Sequence, residues 1–160
     1  MELPTRKNIR LPEYDYRQGG AYFVTICAYR RTCRFGDAES AVPSAAGEML
    51  LDRLHAIEAK FPGVTVDASV VMPNHVHVLL FLTDGQHAAL PEVVGWFKAQ
   101  TTNAYIRGVR AGEYPPFDRH IWQRGYYEHV VRNETDLYEI RKYIEENPLK
   151  WREDEEYVAP

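Results

Sequence analysis

The chain has 160 residues, 45% of them hydrophobic and 26% charged, and a net charge of −4. That is the length of one domain, long enough to bury about 70% of its extended-chain surface without disulfide staples. Two cysteines, no apolar leader after Met1 and no apolar run longer than Val78–Leu82 leave no sign of a cystine scaffold, a secretory signal or a membrane span, and point to a cytoplasmic setting.

The acidic balance argues against a non-specific nucleic-acid coat, but the charge is unevenly spread. Residues 1–36 carry seven Lys/Arg against three Asp/Glu, whereas residues 133–160 carry four against nine. Arg6, Lys7, Arg10, Arg17, Arg30 and Arg31 are interleaved with Tyr14, Tyr16, Tyr22 and Tyr29. Arginine among aromatics suits phosphate contact with base stacking, and equally suits an ordinary solvated surface.

Residues 1–20 show no period and are expected as a basic arm crossing the surface. Ala21–Tyr29 is β-branched and aromatic and reads as a buried strand. Ser44–Phe61 reads as a helix: Leu50, Leu54, Ile57 and Phe61 share one face, Ser44 is the N-cap, and Gly47 is a tolerated cost. Pro62-Gly63 stops it. Val64–Met72 and His75–Leu82 read as antiparallel strands joined at Pro73-Asn74.

Pro91 opens a second helix with Leu90, Val93, Val94, Phe97 and Tyr105 inward. Its polar side holds Lys98, Thr101, Thr102 and Asn103, with Lys98 a candidate phosphate contact. A loop with Pro115-Pro116 leads to a strand at Tyr126–Val131. A last helix at Glu134–Glu146 is capped by Asn133 and stopped by Pro148. The acidic stretch 152–160 is expected as a flexible tail. Strand, helix, strand, strand, helix, strand and final helix make a split βαβ, ferredoxin-like α+β domain spanning 1–160.

Two features carry chemistry. His75 and His77 are one residue apart in a strand, so their imidazoles share a face and form half of a divalent metal site, or a pair of satisfied histidines. Tyr143 and Asn147 are four apart on a helix, so they also share a face, either as a functional pair or as a core tyrosine and a helix-ending asparagine. If the helix meets the strand, His75, His77 and the Asn147 carboxamide give mixed nitrogen and oxygen ligation suited to Mg²⁺ or Mn²⁺, with Tyr143 as nucleophile.

The chain resembles the REP-associated tyrosine transposases, a branch of the single-tyrosine HUH (His-hydrophobe-His) family. The resemblance runs through Arg6–Leu11, Gly20–Thr25, Met72–His77, Trp96–Lys98, Ile121–His129 and Arg141–Pro148. It implies a ferredoxin-like sheet with the histidine pair on a central strand and the nucleophile on a following helix. It also implies cleavage and rejoining of single-stranded DNA beside a hairpin. His75, His77 and Asn147 become the metal ligands, and Tyr143 forms a 5′-phosphotyrosine and releases a 3′-hydroxyl. Asn147 is one methylene shorter than the glutamine often found there in related enzymes. The basic N-terminal segment would help read a guide sequence, and Arg124 falls in a matched segment. Relatives include dimers that donate the tyrosine helix in trans, so monomer and homodimer both stay open. The competing readings are a non-cleaving hairpin binder and a metal hydrolase that activates water without a covalent intermediate.

Overall fold

The structure, a computed structural model, describes residues 19–83 and 88–159. Most of the expected arm, with Arg6, Lys7, Arg10 and Arg17, lies outside the described residues.

Four strands, β1 (Gly20–Cys27), β2 (Val64–Met72), β3 (His75–Leu82) and β4 (Tyr127–Val130), form one sheet in the order β2-β3-β1-β4. Every neighbouring pair is antiparallel. Both crossovers therefore skip one strand, which is the expected split βαβ arrangement. Helices α1 (Ala45–His55), α2 (Ile57–Lys60) and α3 (Leu90–Arg110) precede the last strand, and α4 (Glu134–Glu146) follows it. Among the described residues no helix is long and apolar enough to cross a membrane.

Strand alternation decides which side chains meet which helices. Tyr22, Val24 and Ile26 of β1 and Val76, Val78 and Leu80 of β3 join Leu50, Leu54 and Phe97 in the main core. Phe23 and Leu79 point the other way and pack on Ile140 and Ile144 of α4. Each buried isoleucine there contributes roughly 2 kcal/mol of apolar transfer, enough to hold a thirteen-residue helix on the sheet. His75 and His77 have the parity of Leu79, so they too lie on the α4 face.

Three local readings change. The expected single helix at Ser44–Phe61 is divided at Ala56, although Ile57 and Phe61 keep their inward places. Thr101 is fully buried rather than on a polar side, because its Oγ1 accepts the Trp122 indole N–H at 2.8 Å and donates to the Phe97 carbonyl at 2.8 Å. Gly47 is required rather than tolerated: a Cβ there would collide with the Phe35 carbonyl. Gly47→Ala is accordingly expected to lower stability by about 2 kcal/mol through overpacking, despite alanine's better helix propensity. A urea midpoint unchanged or raised in that variant would contradict this.

Candidate active site

The hairpin Met72–His75 fixes the first half of the site. Met72 pairs with His75, leaving Pro73-Asn74 as the turn. Asn74 is fully buried; its Nδ2 donates to the Glu156 carbonyl at 2.7 Å, which turns its Oδ1 toward His75 Nδ1 at 2.8 Å. The imidazole of His75 therefore donates from Nδ1 and presents Nε2 to the cavity. His77 is held through Nδ1 by Thr25 Oγ1 at 2.8 Å, its register partner on β1. The two Nε2 atoms come to 3.0 Å from each other.

The second half comes from α4 and the segment behind it. The Tyr143 ring lies edge-on to His77 at 5.3 Å and to Phe23 at 5.9 Å. A 3₁₀ segment, Asn147–Glu153, continues directly from α4. Asn147 is buried, and its Nδ2 donates to Asp154 Oδ2 at 2.9 Å. The Tyr143 hydroxyl donates to the same oxygen at 3.4 Å. The structure thus brings together all four residues singled out by spacing, within one chain.

It also adds one that spacing missed. Asp154 Oδ2 lies 3.4 Å from His75 Nε2 and 3.8 Å from His77 Nε2. Residues 152–160 were expected as a flexible tail, yet Asp154 and Glu156 are buried. The anchor is Trp151, whose indole N–H donates to the Ala38 carbonyl at 2.8 Å and whose ring packs beside Tyr157 and His75. Arg31 pairs with Glu156 at 3.2 Å. The sequence signal was a pair of aromatics, Trp151 and Tyr157, flanking the acidic run 153–156.

The electrostatics follow from burial. His77 is pushed down to about 4, first by burial and then by the neighbouring His75, so its imidazole is neutral at pH 7. Burial works against ionising Asp154, but hydrogen bonds from His75 and His77 outweigh it and hold the carboxyl well below its usual range. The Tyr143 phenol is pushed up, first by burial and then by the Asp154 charge, while Asn147 works the other way. At rest the phenol is protonated.

The histidine shift has a measurable sign. An unfolded histidine titrates near 6.5 and this one near 4, so the unfolded chain takes up the proton first as pH falls. The contribution to stability is complete above about pH 6.5 and is lost on the way down to pH 4, by roughly 3 kcal/mol. Asp154, also depressed, adds a loss at lower pH, below the ordinary carboxylate value of 3.8. Thermal melts between pH 7 and pH 4 should show the first loss, and His77→Gln should flatten it.

The donor set fits a divalent cation. Ligand atoms of His75, His77 and Asp154 all lie within 4.8 Å of one another. Electron-rich atoms this close and this buried stay together by sharing a positive charge, supplied by a proton or by a cation. Among the described residues the buried Asn147 Oδ1 has no hydrogen-bond partner, leaving an acceptor beside the cluster.

The other candidates are scattered. Arg30 is exposed, 3.7 Å from Asp118. Lys98 Nζ donates to the carbonyls of Gln123 at 2.9 Å and Gly125 at 2.6 Å, so it braces a loop. Arg124 is exposed on that loop. His129 is bonded to Asp136 at 2.7 Å, a structural pairing. Tyr126 is a core residue, whereas Tyr127 lines the cavity that holds His77 and Tyr143.

The family described as "Transposase IS200 like" matches residues 18–147. An uncharacterized protein of Haemophilus influenzae is 32% identical, covering 96% of this chain and 93% of that protein. The REP-associated tyrosine transposase of Escherichia coli K12 is 24% identical, covering 84% and 70%. A solved REP-associated tyrosine transposase bound to a REP hairpin superposes with a TM-score of 0.62 at 23% identity, covering 89% of this chain and 74% of that one, which supports the fold. With most of its length matched, the chain belongs to the IS200-like transposase family.

Proposed function

We propose that the chain is a metal-dependent single-stranded DNA transesterase that cuts and rejoins strands beside REP-like hairpins through Tyr143. The observation that carries this is the meeting of a phenol, a carboxamide and two imidazoles on one buried carboxylate, Asp154. The hairpin is suggested by the solved REP-associated tyrosine transposase bound to a REP hairpin, alongside sequence relatives of the same name.

His75, His77, Asp154 and the orphan Asn147 Oδ1 would hold Mg²⁺ or Mn²⁺. Such an ion supplies Lewis-acid polarisation of the scissile phosphate and offsets the charge that raises the Tyr143 pKa. Thr25 and Asn74 orient the imidazoles so that both Nε2 atoms face the cavity. Tyr143 Oη attacks phosphorus: the tyrosyl O–P bond forms, the bond to the 3′-oxygen breaks, and the 3′-oxygen takes a proton from solvent. The phenolic proton leaves to solvent, because Asp154 is held ionised and would be engaged by the ion. The 5′-phosphotyrosine keeps the bond energy, so attack by a 3′-hydroxyl reverses the step and rejoins a strand.

One observation favours the non-cleaving reading. The cavity walled by His77, Tyr143 and Asp154 holds about 20 Å³, room for one water. A phosphodiester is too large for that cavity, although Tyr143 also borders a second opening of about 120 Å³ with Asn147 and Asp154. Incubation with a hairpin-bearing single strand separates the two readings. A covalent adduct that survives denaturation and needs Mn²⁺ or Mg²⁺ supports the transesterase. Tight hairpin binding with no adduct and no cut, across both metals, supports the binder.

A further inference from the structure

Around the sheet edge from Tyr143, between α3 and the loop 117–125, lies a second and larger cleft of about 800 Å³. None of the proposed chemistry uses it. One wall is the Tyr29 ring with the His120 imidazole edge-on at 5.1 Å. Asn103 presents an exposed carboxamide from α3, and Arg119 and Arg124 are exposed on the loop side. Flat rings, an amide and guanidinium groups are the chemistry that stacks a base, reads its edge and meets the phosphates on either side.

The cleft is built rather than incidental. Residues 27–29 and 121–123 are zipped together: Tyr29 N donates to the Ile121 carbonyl and Gln123 N to the Cys27 carbonyl, both at 2.9 Å. Lys98 braces the same loop from α3. Arg30 and Arg119 take left-handed backbone, with φ of 55° and 66°. Side-chain-bearing residues adopt that conformation at a cost, and such strain is kept where the surroundings enforce it. The linings of the cleft and of the catalytic cavity touch at one hydrogen bond. Gln123 lines the cleft, and its Nε2 donates at 3.2 Å to the hydroxyl of Tyr127, which lines the cavity with His77 and Tyr143.

We infer that this cleft holds an unstacked nucleobase of the single-stranded flank leading away from the scissile phosphate. The exposed His120 ring, held edge-on against Tyr29, is its stacking surface, Asn103 reads its edge, and Arg119 and Arg124 meet the neighbouring phosphates. The Gln123–Tyr127 contact marks the path between the two sites. This rests on the transesterase reading for its substrate.

The test uses the full chain carrying Tyr143→Phe, to prevent cleavage, with a fluorescent hairpin bearing a short single-stranded flank and the same hairpin without one. His120→Ala, Asn103→Ala and Arg119→Ala alter exposed side chains outside the core. Each is expected to weaken flanked-hairpin binding about tenfold and to leave the bare hairpin within about twofold. An abasic nucleotide at one flank position should cost the parent as much, and cost His120→Ala nothing more. Equal losses on both hairpins, or no loss on either, would overturn the base pocket. Adduct formation by the wild type tests the transesterase reading separately, so an adduct with no flank effect sinks only the pocket. Absence of both adduct and hairpin binding sinks both.

Discussion

Tyr143→Phe is expected to reduce cleavage of a hairpin-bearing single strand by on the order of 10⁴-fold or more, because removing a covalent nucleophile leaves only binding and electrostatics behind. The substitution deletes one oxygen. The ring keeps its contacts with His77 and Phe23, and Ile140 and Ile144 keep α4 on the sheet. The hydroxyl's bond to Asp154 is long, at 3.4 Å, so its loss should hardly affect stability. Hairpin affinity should stay within about twofold. Retained cleavage in this variant would favour a metal hydrolase, which needs no tyrosine.

His77→Ala is the second large effect. It removes one of two imidazole ligands, and the remaining donors cannot offset the cost of stripping water from a divalent ion. Mn²⁺ affinity, read by calorimetry or by the paramagnetic resonance of free ion, should fall by at least about 100-fold, and cleavage by on the order of 10³-fold. The fold should survive, since Phe23, Leu79, Ile140 and Ile144 hold α4 on the sheet without the imidazole. Asn147→Ala should cost less, about 10-fold in metal affinity, because it removes one neutral oxygen and leaves Asp154 in place. Unchanged Mn²⁺ binding in His77→Ala would mean that the ion, if bound, sits elsewhere.

Much of this was legible in the residues. Strands β2 and β3 and helix α4 have the bounds expected, because each is a strongly periodic run bracketed by unambiguous stops: Gly63 and the Pro73-Asn74 turn for the strands, Asn133 for the helix. Ser44 and Asn133 both cap as read, accepting from Gly47 N and Asp136 N. Strand parity placed His75 with His77 and the helical turn placed Tyr143 with Asn147, whereas the meeting of the two pairs was an expectation from the family resemblance.

What stayed hidden depends on tertiary contact. An acidic run without a period carries no local sign of burial, so Asp154 became visible only once Trp151 was seen to dock against Ala38. The left-handed backbone at Arg30, Arg31 and Arg119 is likewise invisible, because none is the glycine or asparagine that announces it. Gly47 read as a helix weakness because its reason lies in the Phe35 carbonyl, distant in the chain and adjacent in space.

Mass spectrometry of the adduct formed with a hairpin-bearing single strand in Mn²⁺ is the most direct test of Tyr143 as the nucleophile. The expected result is a 5′-phosphoryl nucleotide on the peptide containing Tyr143, and a free 3′-hydroxyl on the released strand. An adduct on Tyr126 or Tyr127, or complete cleavage with no adducted peptide, would contradict it.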